Sequence, residues 1–341
     1  MGTTSKSSKS VTFPQKSSLF GSPKKKRTKK SSFKFIDLFA GIGGTRLAFE
    51  NAGGHCVFSS EWDPFAQQTY FANFDEIPHG DITKISPKEI PDFNILVAGF
   101  PCQPFSSIGK RQGFKHATQG TLFYDVLRII EAKNNEAFLL ENVPGLTTHD
   151  KGNTFKTILG ALDDIGYNVH YKILDASKFG VPQQRKRIYI VGFRKDISDK
   201  DFVFPTGTKT SVDIGKYIER NAHEKYSISK HLQQSYIYKH DDGRPKIVNS
   251  TSKGPVKTLV SSYHKIQRLT GTFVSDGPTG LRLFSENECK AIMGFPEDFI
   301  IPVSRTQMYR QMGNSVAVPA VKAVAKQMVS YLKANNKHGK R

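Results

Sequence analysis

The chain has 341 residues, a length that suits two domains or one large domain with an insertion. Its 50 Lys and Arg against 30 Asp and Glu leave a formal charge of +20, and 37% hydrophobic with 11% aromatic residues is enough for a real core, which excludes a wholly disordered chain. No apolar run nears the roughly 18 residues needed to span a bilayer and no apolar signal-peptide core opens the chain, while three scattered cysteines (Cys56, Cys102, Cys289) argue against a disulfide framework or a zinc site and for a reducing compartment.

Residues 1–32 read as a disordered basic tail: ten Lys or Arg and no acid precede Phe35, among serines and with Pro14 and Pro23. The run Pro23-Lys24-Lys25-Lys26-Arg27 looks like a nuclear-import signal, but a solvated tether that follows phosphates, or an appended tag, is the preferred reading. Phe33–Phe39 reads as a buried strand running into Gly41-Ile42-Gly43-Gly44, then a helix from Thr45 to Asn51. A second strand, His55–Ser59, ends at Glu61-Trp62-Asp63, and Pro64 starts the next helix. Asp81, in Gly80-Asp81-Ile82, is expected to close a third strand. Phe93–Phe100 is an apolar strand stopped by Pro101. Helices are expected at Thr121–Ala132 and Thr154–Ile165, and strands at Ala137–Leu140 and Ile188–Phe193. This alternation predicts an α/β fold with a doubly wound, mostly parallel sheet. It fades between about Pro205 and Gly280, which reads as a second, smaller domain. Helical pattern returns at Ser285–Met293 and from Thr306, running on through Val316–Leu332. The expected division is thus 1–32 tail, 33–204 first part of the α/β domain, 205–280 small domain, 281–332 return, and 333–341 a basic tail.

A strand, a glycine turn and a helix let backbone amides approach an anionic group at a helix N-terminus. Glu61 follows Gly41 by 20 residues, where an acid accepts hydrogen bonds from both ribose hydroxyls. Trp62 offers a face to adenine, and the Asp81 carboxylate suits its amino group. Together they favour an adenosine-type cofactor without saying which. Cys102 lies between Pro101 and Pro104 directly after a buried strand, on the carboxyl edge where such sheets bind ligands. Cys56 and Cys289 lie in strand-like and helix-like contexts and read as core. Glu141 follows four apolar residues, which suggests half-burial and a raised pKa. Arg185 and Arg187, two apart on an extended backbone, point to one side and suit a phosphate, carbonyl or carboxylate. Gly109 to Gly120, with Lys110, Arg111, Lys115 and His116, looks like a lid for a polyanion.

These residues resemble the cytosine-5 DNA methyltransferases of bacterial restriction–modification type. The resemblance covers the chain from Phe35 to about Met328, in the blocks FIDLFAGIGG (35–44), Glu61-Trp62, GDIT (80–83), GFPCQPFS (99–106), GTLF (120–123), ENV (141–143), QQRKR (183–187), RLFSENECKAIMGFP (282–296) and GNSVAVPA (313–320). It implies a Rossmann-like S-adenosylmethionine-dependent fold, with a target-recognition domain in the variable stretch from about 206 to 275. It also implies sequence-specific methylation of double-stranded DNA, with the cytosine flipped out of the helix. Carbon 5 of cytosine is a poor nucleophile, and a thiolate adding at carbon 6 turns the ring into an enamine that attacks the sulfonium methyl. Cys102 is the implied nucleophile. Glu141 is implied to hold or protonate N3. Arg187, with Arg185 close by, is implied to grip the cytosine carbonyl or the adjoining backbone. No residue is identified as the base that removes the C5 proton. Around the cofactor the matching positions are Asp37, Phe39, Gly41 and Gly43 on the first turn, then Glu61, Trp62, Asp81 and Ile82. Pro101, Leu122, Asn314 and Ser315 complete the set, so the C-terminal part must fold back beside the first strand. Ser106, Lys110, Arg111 and Gln112 in the loop, and Lys265, Gln267 and Arg268 further on, are candidate DNA contacts.

No metal and no membrane partner is expected. A monomer is, with room for a cognate restriction endonuclease acting separately, in the cytoplasm of a bacterium on its nucleoid. The nucleus is the alternative, because of the basic run. Three other functions fit less well. An RNA methyltransferase has no need of so large an insert after Pro205. A catalytically dead DNA-binding regulator would have lost Cys102, Glu141 or the glycine turn. A nicotinamide oxidoreductase needs no Pro-Cys turn.

Overall fold

The computed structural model describes residues 32–101, 122–198 and 200–335. Six strands form one sheet in the order β2-β1-β3-β4-β6-β5. These are β1 (Phe33–Leu38), β2 (Gly54–Ser60), β3 (Ile95–Ala98), β4 (Ala137–Asn142), β5 (Tyr167–Asp175) and β6 (Lys186–Arg194). The first four run parallel, and β6 alone is reversed, antiparallel to both β4 and β5. The chain steps from β1 outward to β2, then returns to place β3 on the other side of β1. The sheet order therefore reverses between β1 and β3, and a crevice opens at their carboxyl ends.

Side chains alternate between two apolar layers, as buried strands require. Ile95 and Val97 face one layer, and Leu96 and Ala98 the other. The first layer is covered by α1 (Gly44–Glu50) and α8 (Val318–Asn335), through Ala48, Phe49, Val321, Val324 and Met328. The second is covered by α3 (Leu122–Lys133) and α4 (Asn153–Asp164), through Val126, Ile130, Ile158 and Leu162. Helix α2 (Pro64–Phe74) starts as expected on Pro64, with Asp63 accepting from the amides of Phe65 and Ala66.

Beyond Pro205 regular structure is sparse: a few isolated 3-10 turns, one α-helical turn, α5 (Lys230–Leu232), running into a π turn at Gln233–Ile237, and two short parallel strands, β7 (Lys246–Val248) and β8 (Thr272–Val274). This segment shares its apolar core with the first layer, where Leu259, Tyr263 and Phe273 join Phe284, Met308 and Tyr309. The chain then returns through α6 (Glu286–Met293) and α7 (Arg305–Asn314) to α8. The Arg282 guanidinium anchors the return with two 2.8 Å bonds to the Glu288 carboxylate, and both side chains are buried.

Two sequence expectations change here. Strand β5 was not foreseen. Asp81 closes no third strand: it caps a short turn at Ile82–Lys84, and the third strand is β3. An isolated bridge, His79 to Ser60, and a bond from the Ser60 hydroxyl to Gly80 O at 3.0 Å tie that stretch to the sheet. Among the described residues no helix is long and apolar enough to cross a membrane.

Candidate active site

A cleft of about 1470 Å³ opens where the sheet order reverses. Its floor is the turn after β1. Phe39 (φ 56°), Gly41 (φ 55°) and Gly43 (φ 87°) all hold left-handed backbone, which a phenylalanine adopts only under constraint. At Gly43 a Cβ would lie 2.2 Å from the Phe74 ring, and at Gly44 it would lie 2.7 Å from Ser315 Oγ. Glycine is therefore required twice, once to pass α2 and once to let the returning chain dock.

Glu61 stands at the rim with one carboxylate oxygen accepting from Gly41 N and the other from Asp63 N, each at 2.8 Å. Burial raises its pKa, and the backbone amides pull the other way. Both oxygens keep a lone pair for ligand hydroxyls. Trp62 lies beside it, 77% exposed yet lining the cleft, so an apolar surface is left open where a planar ring would cover it. Asp81, Ile82, Pro101, Leu122, Asn314 and Ser315 line the same cleft, as expected. Asp37 does not. It is fully buried, and the Thr45 hydroxyl sits 2.9 and 2.8 Å from its two oxygens. Burial pushes its pKa up to about 7. Asp37 braces the glycine turn from beneath rather than touching a ligand.

On the opposite wall Glu141 lies inside β4, not after it. Arg187 Nε approaches Glu141 Oε1 at 3.1 Å. A Cβ added at Gly99 would lie 3.7 Å from Glu141 Oε2, so the carboxyl also faces the turn that leads to Cys102. Burial raises the Glu141 pKa against the pull of Arg187 and then Arg185. Asn142, whose part the sequence did not reveal, donates to Phe100 O at 3.0 Å and so fixes the stretch before Pro101 to β4.

Arg185 lines the same cleft but meets other partners than Arg187. It is 3% exposed and donates to Leu259 O at 3.1 Å, Gly313 O at 3.0 Å and Ser315 O at 2.6 Å. Its charge is thus spent on main-chain carbonyls that join the cleft to the small domain. Arg268 is a second correction. It is 5% exposed, paired with Asp242, and donates to Ile237 O at 2.9 Å and His240 O at 2.8 Å, so four of its five N–H groups clip two loops together rather than facing outward to a base edge. Lys265 and Gln267 are exposed beside it. Cys56 and Cys289 are buried, as read, and burial pushes the Cys56 thiol up to about 12. Cys102, Ser106, Lys110, Arg111 and Gln112 lie outside the described residues.

Comparison with known proteins accords with this geometry. Residues 33–330 match the family described as C-5 cytosine-specific DNA methylase. The Type II methyltransferase M.MspI of a Moraxella species is 60% identical over 306 residues, covering 90% of this chain and 72% of that protein. M.BsuFI of Bacillus subtilis is 62% identical over 292 residues, covering 85% and 71%. Among solved structures, DNMT2 of Spodoptera frugiperda superposes with a TM-score of 0.71 at 23% identity, covering 89% of this chain and all of that one, a likeness of fold. With its reversal-point cleft, its glycine turn and its paired carboxylate, the chain belongs to the C-5 cytosine-specific DNA methylase family.

Proposed function

We propose that this DNA cytosine-5 methyltransferase works through a covalent adduct at Cys102, with Glu141 and Arg187 holding the flipped base. The single observation that carries this is the Glu141–Arg187 pair, set in the cleft wall against the Gly99–Pro101 turn that leads directly to Cys102. S-adenosylmethionine, the enzyme's methyl donor, supplies an electrophilic methyl group when bound. The cradle suits it: Glu61 takes the ribose hydroxyls, Trp62 and Ile82 the adenine, and Asn314 and Ser315 close the cleft beside the glycine turn.

The Cys102 thiolate adds to carbon 6 of the cytosine, and electron density moves toward carbon 5 and N3. Burial keeps a proton on Glu141 to higher pH than an exposed glutamate, so its carboxyl donates to N3 as charge develops there. Arg187 keeps that carboxyl oriented and presents its remaining N–H groups to the base carbonyl. After methylation carbon 5 loses its proton, and the C–S bond breaks to return the thiolate. Arg185 is a positioning residue in this scheme. Residues 205–280 read the target sequence, with Lys265 and Gln267 at the DNA face. The excess of positive charge supports a phosphate backbone as partner. The Type II designation of the relatives supports a separate endonuclease, with this chain a bacterial cytoplasmic monomer.

Two measurements test the scheme. Cys102→Ala is expected to abolish methyl transfer while S-adenosylhomocysteine binding stays within about twofold, because removing a nucleophile leaves binding in place. A duplex with 5-fluorocytosine at the target is expected to become covalently attached, since fluorine does not leave as a proton does. Absence of an adduct on a duplex the enzyme otherwise methylates would overturn the scheme.

A further inference from the structure

The stretch before β6 carries a glutamine whose contacts neither the cofactor nor the base assignment uses. Gln183 is fully buried. Its Oε1 accepts from Leu259 N at 2.7 Å, and its Nε2 donates to Ile292 O at 3.0 Å and lies 3.1 Å from Met293 Sδ. One side chain thus holds three segments together: the entry to β6, the small domain at Leu259, and α6. The main chain around it does the same. Val256 N donates to Pro182 O at 2.8 Å and Gln184 N to Val256 O at 2.9 Å, so that Gln183 and Val256 form a parallel bridge. The Thr258 hydroxyl donates to Gln184 O at 2.7 Å, and the Arg185 guanidinium to Leu259 O at 3.1 Å. Residues 182–185 and 256–259 therefore run side by side as one bonded strip.

Each side of this strip leads to a part with a task. Arg187, which meets Glu141, follows Gln183 by four residues, and Lys265 and Gln267 follow Leu259 by six and eight. The chain between Leu259 and Lys265 is anchored. A Cβ on Gly313 would lie 2.1 Å from Ser261 N, and the buried Tyr263 hydroxyl donates to Thr272 O at 2.6 Å and accepts from Phe284 N at 3.1 Å.

We infer that Gln183 is a positioning residue that fixes the register between the strand gripping the base and the segment reading its neighbours, and so decides which cytosine of the target is methylated. A slip of one residue along the strip moves the reading segment by about 3.3 Å, close to the roughly 3.4 Å between base pairs. Backbone bonds re-form after such a slip, whereas the Gln183 amide, with one donor and one acceptor already placed, matches a single register. A misplacement of about 1 Å already costs a reaction on the order of 10²-fold, so a fixed register confines methylation to one cytosine. The inference rests on the reading of residues 205–280 as the target-recognition domain and adds to it the residue that sets its position.

The test maps methyl groups by bisulfite sequencing on duplexes that carry the wild-type target with further cytosines inside and beside it. Each map is paired with calorimetric titration of the full chain with S-adenosylhomocysteine. Gln183→Met keeps the length of the side chain and removes both bonds of the amide, and Thr258→Val removes one hydroxyl bond from the same strip. Neither side chain lines the cleft, so S-adenosylhomocysteine binding is expected to stay within about twofold of wild type. The rate at the wild-type cytosine relative to neighbouring cytosines is expected to fall about tenfold in Gln183→Met, the scale of one buried hydrogen bond, and less in Thr258→Val. Slower methylation confined to the wild-type cytosine in both variants would show that the strip serves folding alone. An unchanged rate and map in both would show that the register is set elsewhere. Either result overturns the inference. Should Gln183→Met fail to bind S-adenosylhomocysteine, Thr258→Val decides alone. The double variant Lys265→Ala, Gln267→Ala tests the underlying reading: an unchanged map and duplex affinity there would overturn the assignment of base reading to this segment rather than the register.

Discussion

Two carboxyls with raised pKa act on different properties as pH rises, one on turnover and one on stability. In the proposed scheme Glu141 holds its proton to donate to N3, and burial raises its pKa. Turnover is therefore expected to fall on the alkaline side as pH rises through that raised pKa. Gln cannot titrate, so Glu141→Gln is expected to flatten this limb and to lower the rate about 10²- to 10⁴-fold, the usual worth of a positioned acid. A pH–rate profile of both enzymes checks it, and an alkaline limb unchanged in the variant would assign the limb to another group. Asp37 acts on stability instead. Its pKa rises on folding from 3.8 to about 7. The stability its carboxyl contributes is thus fully present below about 3.8 and is lost as pH rises through about 7. Asp37→Asn is expected to gain on the wild type in urea denaturation between pH 4.5 and 8. Parallel pH dependences would show that Asp37 keeps an ordinary pKa.

At the scale of elements, the glycine turn and the returning helices fix the shape of the cleft. Gly43→Ala forces both left-handed backbone and a clash with Phe74, so it is expected to weaken S-adenosylhomocysteine binding and cost more than about 1 kcal/mol of stability in urea denaturation. Breaking the buried Arg282–Glu288 pair by Glu288→Gln is expected to cost up to about 3 kcal/mol in the same measurement, because the buried guanidinium then keeps only the more distant Asp276, at 3.6 Å, as counter-charge. Much of this architecture was legible. Strands β1, β3 and β4 are short apolar runs bounded by turn residues, and Pro64 marks its helix. Strand β5 was not, because it lies at the sheet edge with Tyr171, Lys172 and Ile173 exposed and so lacks a buried strand's continuous apolar run. Spacing also gave the direction in which Arg185 and Arg187 leave the strand but not what each meets. Leu259 and Gly313, which receive Arg185, lie far along the chain. Likewise Asp242 lies 26 residues before Arg268, and nothing local announces their pairing. The place of Glu61 and Trp62 in the cleft was legible because it depends on position after β2, a local property.

For the whole molecule, the charge of +20 sets the expected behaviour on DNA. Removing residues 1–30 takes away nine basic residues, Lys6, Lys9, Lys16, Lys24, Lys25, Lys26, Arg27, Lys29 and Lys30, and no acid. Binding is expected to weaken and the slope of affinity against salt to become shallower, while the methylated sequence stays the same. Bisulfite sequencing of treated genomic DNA reads the second half of that expectation, and a new methylated sequence would show that the removed segment reads bases.

The docking of Ser315 against Gly44 also orders events during synthesis. A ribosome releases the glycine turn well before the segment that closes over it. A nascent polypeptide therefore carries a half-built pocket until α7 emerges, since Asn314 and Ser315 line the cleft. Joining the two halves in the opposite order, with the α7–α8 segment translated ahead of β1, would let the glycine turn meet its docking partner as soon as it is made.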